Sequence, residues 1–89
     1  MWYLISAADL EEFLDQGRDM VLVDMRDRQS YENGHIYGAV HIPGEELMSR
    51  LDELPRERLI VLYCYHGPNS MRAARQLAQL GYEAADVYG

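Results

Sequence analysis

The sequence predicts an α/β fold, a parallel sheet with helices on both faces, and three observations carry the prediction. Apolar runs of strand length alternate with segments of helical periodicity. The run Leu59-Ile60-Val61-Leu62-Tyr63 is apolar without interruption, as in a strand buried on both sides inside a parallel sheet. Gly17, Pro55 and Gly81 stand where the intervening helices should stop.

In chain order, Trp2 to Ile5 reads as a short strand. Ser6 and Asp9 form a capping box, and Ile5 and Leu10 are spaced as a hydrophobic staple, so a helix runs from Ala7 to about Gln16. Met20 to Asp24 is the second strand, apolar until an acid closes it. The polar stretch from Met25 to Gly34 has room for about one or two helical turns. Between His35 and Pro43, two glycines and a proline surround a strand of about three or four residues. Gly44 to Leu54 reads as a helix with Leu47, Leu51 and Leu54 on one side, ended by Pro55. After the Leu59 strand, Met71 to Leu80 is helical, with Ala74, Leu77 and Ala78 together on one face. Val87 and its neighbours start a final strand, and the helix that would normally cover it is missing. No repeat or linker interrupts the chain, so residues 1–89 read as one domain.

At 89 residues and a formal net charge of −7, the chain is acidic, which argues against nucleic acid or an anionic membrane surface as partner. No apolar run approaches membrane-spanning length and the amino terminus lacks the features of a signal peptide, so the expected location is the cytoplasm. The single cysteine excludes an internal disulfide, a resolving thiol and a cysteine-based metal cluster. His35 and His41 flank a short strand and His66 sits in a loop, without carboxylates at ligand spacing; neither metal nor cofactor is expected.

That cysteine, Cys64, ends the Leu59 strand and precedes a loop and a helix. In open α/β sheets this is where ligands sit, and the free N–H groups and positive end of the helix favour thiolate over thiol. No acid occurs between Arg58 and Tyr82, while Arg58, Arg72 and Arg75 do, and Arg72 falls in the first turn of the expected helix, where an acid is usual. An anion held in the loop explains the inversion. A free cysteine after a buried strand is ordinarily a core residue; the Gly67 loop and the acid-free surroundings favour a nucleophile here. Gly67 lets loop amides turn inward, Ser70 is placed as helix N-cap with a hydroxyl able to donate toward Cys64, and His66 is either a proton-transfer neighbour of the sulfur or a solvent-facing residue. Asp24 and Arg26 read as a structural ion pair pinning loops.

These residues resemble the rhodanese-like domain over nearly the whole chain. The likeness lies in Asp24-Met25-Arg26, in Gly34-His35-Ile36 and Gly38-Ala39 leading to Ile42-Pro43, in the Cys64 loop with Gly67 and Ser70, and in Ala73-Ala74. It is nearest to the single-domain thiosulfate sulfurtransferases. The resemblance implies a five-stranded parallel sheet flanked by helices, and Cys64 in a cradle of amides from Tyr65, His66, Gly67, Asn69 and Ser70, with Arg72 a candidate for binding a small anionic sulfur donor. It implies structural roles for Asp24, Arg26, Gly34, His35 and Gly38. It also implies sulfur transfer through a persulfide on Cys64 to a thiol or cyanide acceptor, a protein acceptor included. Where relatives commonly carry arginine or lysine before the loop serine, this chain has Asn69, which weakens attraction for a dianionic donor.

Two other readings stay open. A phosphatase or arsenate reductase uses the same strand and loop but needs arginine as the sixth residue after the cysteine, where this chain has Ser70. A persulfide carrier or regulatory binding module is the non-enzymatic reading, with the acidic charge and the three arginines available to steer docking.

Overall fold

Five strands, β1 (Trp2–Ile5), β2 (Met20–Asp24), β3 (Val40–His41), β4 (Leu59–Tyr63) and β5 (Ala84–Val87), form one sheet; α1 (Ala7–Asp15), α2 (Arg28–Asn33) and α3 (Gly67–Gln79) lie between them. The computed structural model describes residues 1–65 and 67–88. All pairs are parallel, in the order β1-β5-β4-β2-β3. The chain crosses the sheet one way from β1 through β2 to β3, then returns through β4 to β5. Right-handed crossovers therefore place the first connections on one face and the later ones on the other. Leu10 and Phe13 of α1 pack with Leu59, Val61 and Ala85, whereas Ala73, Ala74 and Leu77 of α3 pack with Ile60, Leu62 and Ala84. Both faces of β4 are covered, as its unbroken apolar run requires. No helix among the described residues is long and apolar enough to cross a membrane.

Local chemistry accounts for the boundaries. Ser6 Oγ accepts the Asp9 N–H at 3.0 Å and the Asp9 carboxylate accepts the Ser6 N–H at 3.0 Å, completing the capping box. Gly38, at φ +87°, turns the chain into β3 through a left-handed conformation that side chains disfavour.

Four expectations are corrected. Gly44 to Leu54 is not an α-helix but two 3₁₀ segments, Gly44–Glu46 and Met48–Glu53. The segment lies between Pro43 and Pro55. It breaks at Arg50, which has φ −119° and whose guanidinium is held by Glu46 and Glu53. The leucines still serve the core, Leu47 and Leu54 buried and Leu51 packed beside them. β3 is shorter than foreseen, and β5 begins at Ala84 so that Val87 ends it. Finally, α3 begins at Gly67 rather than Met71, because Pro68 is tolerated in a first helical turn.

Candidate functional site

The connections leaving β2 and β4 pass to opposite faces, so the carboxyl ends of these neighbouring strands diverge into a crevice. Met25, Arg26 and Asp27 after β2 meet Cys64 and Tyr65 after β4, and Asn69 of α3, around a cavity of about 220 Å³. A second cavity of about 350 Å³ continues along α3 past Asn69, Arg72 and Gln76, with Glu45 and Leu47 opposite, sharing Met25 and Asn69 with the first. Arg72 thus lies beside the Cys64 cavity rather than in it.

Cys64 is half-buried, packed against the core on one side and open to the cavity on the other. The early start of α3 changes what surrounds it. Ser70 is not the N-cap; it is buried within the first turn. In that opening turn the Ser70 backbone N–H points at the Cys64 Sγ at 3.3 Å. The Ser70 hydroxyl also meets the sulfur, accepting from the thiol at 3.2 Å. The earlier start moves Arg72 into the second turn, so the inversion of charge expected at the helix start disappears; the first turn carries no acid. Gly67 opens α3, Tyr65 is exposed at the cavity, and His66 lies outside the described residues.

On the opposite face of the sheet, Asp24 and Arg26 form the expected ion pair at 2.7 Å, and Arg26 also donates to the Gly34 carbonyl at 2.7 Å. Asp24 is fully buried and accepts a further bond from the Tyr63 hydroxyl at 2.9 Å. Burial opposes ionisation of Asp24, but hydrogen bonds from the Arg26 side chain and backbone and from Tyr63 outweigh it and hold the carboxyl below its ordinary value. Burial, and then the neighbouring carboxylate, push the Tyr63 phenol up to about 12. The histidines fix the same loop: His35 and His41 stack on either side of Tyr31, with ring centroids 3.7 Å and 4.7 Å away. His35 Nδ1 donates to the Tyr31 carbonyl and His41 Nε2 to that of Arg26, each at 2.7 Å. Among the described residues, no three of His, Cys, Asp and Glu gather as a metal would need.

Three features escaped the sequence. Arg26, expected only as a structural partner, also lines the Cys64 cavity. Arg58, grouped with the cleft arginines, precedes β4 while Cys64 follows it, and pairs with Asp19 at 2.8 Å at the far end of the sheet. Asp86 of β5 is buried and accepts the Ser70 hydroxyl. A lone acid amid Ala84, Ala85 and Val87 was the available signal, since unpaired acids are rarely fully buried.

The sequence profile of the rhodanese-like domain matches residues 6–88. The chain is 36% identical over 88 residues to the thiosulfate sulfurtransferase GlpE of Coxiella burnetii, covering 99% of this chain and 79% of that protein. Among solved structures, the SSP1007 protein of Staphylococcus saprophyticus superposes with a TM-score of 0.91 at 26% identity, over 98% of this chain and 87% of that one. The human single-domain sulfurtransferase TSTD1 does so with a TM-score of 0.82 at 29% identity, over 96% of this chain and 87% of its own. With its strand order, its cysteine at the carboxyl end of β4 and a profile match across nearly its full length, this chain belongs to the rhodanese-like family.

Proposed function

We propose that this chain is a rhodanese-type sulfurtransferase that moves a sulfane sulfur from thiosulfate, or a similar small anion, to a thiol or cyanide acceptor through a persulfide on Cys64. The observation that carries the reading is the Cys64 sulfur itself, open to a cavity between β2 and β4 and contacted by the Ser70 N–H at 3.3 Å. The names of the Coxiella and human relatives support the same activity.

The steps follow from this arrangement. The Cys64 thiolate attacks the outer sulfur of the donor; the bond between the two donor sulfurs breaks, and sulfite leaves with its electron pair. A new S–S bond now joins Cys64 to the transferred atom, whose negative charge lies among the amides that open α3. Pro68 offers none of these amides, having no N–H. The acceptor then attacks the terminal sulfur, forming its own S–S or C–S bond, and Cys64 departs as thiolate, ready for another cycle. A dianionic donor draws on Arg72 from the adjoining cavity, because Asn69 is neutral and Arg26 is already bonded to Asp24 and Gly34.

Intact-mass measurement after incubation with thiosulfate tests the proposal. The wild-type chain should gain one sulfur atom, lost again on adding cyanide, and Cys64→Ser should gain none. Absence of the adduct on the wild type, or its presence on the serine variant, would overturn the mechanism.

A further inference from the structure

Behind Ser70 stands a carboxyl that sulfur transfer as described leaves unused. Asp86 is 1% exposed, with Leu4 and Leu62 as its register partners on β1 and β4. Its Oδ1 accepts the Ser70 hydroxyl, while Ser70 Oγ accepts the Cys64 thiol at 3.2 Å. Its Oδ2 is buried with no hydrogen-bond partner, and among the described residues no cation pairs with it. The groups facing it are Ser70 from α3 and, one hydroxyl further, Cys64 from the end of β4; Arg72 and Arg75 of α3 are exposed. An anion buried with one donor and no counter-charge is costly, whereas a neutral acid there leaves only a carbonyl unpaired.

We propose that Asp86 is a positioning residue that holds the Cys64 proton: the two groups share one proton through Ser70, with Asp86 the neutral acid and Cys64 the thiolate in the reactive state. This rests on the reading of Cys64 as nucleophile. The Cys64 S–H bond breaks as its proton passes to Ser70 Oγ, and the proton already on Ser70 passes to Asp86 Oδ1. No electrons change hands and the net charge of the trio is unchanged. Ser70, which accepted from the thiol, now donates to the thiolate, and Asp86 donates to Ser70. Burial raises the Asp86 carboxyl above its ordinary value, offset only in part by the Ser70 hydrogen bond, which suits a proton holder. It is the opposite of Asp24, whose donors hold it ionised.

The test combines infrared spectroscopy with the pH profile of Cys64 alkylation by iodoacetamide. Near neutral pH the wild type should show the carbonyl band of a protonated carboxylic acid together with thiolate ultraviolet absorbance. Asp86→Asn should abolish the band yet keep the alkylation midpoint within about half a pH unit, because its amide donates to Ser70 as the neutral acid does. Asp86→Leu should raise the midpoint by about one unit or more, a tenfold loss of thiolate below it. The proposal is overturned if the wild type lacks the band. It fails equally if Asp86→Asn moves the midpoint well below wild type, as removal of a neighbouring anion would, or if folded Asp86→Leu leaves it in place, as a purely structural role would. Should the leucine variant not fold, the band and its loss in Asp86→Asn decide. No sulfur donor is used, so failure here is distinct from failure of the persulfide adduct to form.

Discussion

At Asn69 a neutral amide faces the cavity that holds Cys64, and a single substitution changes its electrostatics. Asn69→Arg adds one charge close to a dianion, roughly 1 kcal/mol of attraction near a surface. KM for thiosulfate should therefore fall about fivefold with kcat little changed, and steady-state kinetics should show the gain fading as salt is raised. Below the cavity the decisive side chain is Arg26. Arg26→Ala leaves Asp24 ionisable and buried without its counter-charge, and urea denaturation should register a loss of about 3 kcal/mol. This pair was legible because an acid closing a strand beside an arginine has few other uses. Asp86 was not legible in the same way: an acid in an apolar strand acquires meaning only once Ser70 is seen packed over it, and Ser70 was placed one role away, as a cap.

At the scale of elements, Gly38 isolates a backbone effect from a packing effect. A methyl group there would meet nothing within 4 Å, so Gly38→Ala charges only the left-handed conformation, about 1–2 kcal/mol, visible as a lowered thermal midpoint. β1, α1, β2 and β4 were readable because each combines a clear periodicity with a local stop, such as the Ser6 cap or Gly17. The 3₁₀ segments kept their leucines but lost their helix, since the same spacing of Leu47, Leu51 and Leu54 suits either winding and the backbone breaks at Arg50. The start of α3 was misplaced by trusting Gly67 and Pro68 as loop residues, when a first helical turn accepts both. That error hid only that Ser70 lies inside the helix rather than at its cap.

For the whole molecule, Asp24 and Tyr63 make stability depend on pH at the acid and alkaline ends. Asp24 is held below the unfolded value of about 3.9, so its contribution is complete above that pH and lost as pH falls through the folded value. Tyr63, at about 12 against about 10 unfolded, contributes fully below about 10 and loses its share as pH rises toward 12. Urea midpoints measured across pH should fall at both ends; Tyr63→Phe should shrink the loss on the alkaline side and, by taking a donor from Asp24, weaken the acid-side dependence too. The strand order has a consequence of another kind. β1 lies beside β5, Trp2 opposite Ala84 and Ile5 opposite Val87, so β1 is synthesised long before the strand it pairs with. Sheet closure spans the longest loop available and is a late, slow event in folding. Until β5 is in place, β4 has one open edge and β1 has no partner strand, and that interval is when the chain is most exposed to aggregation.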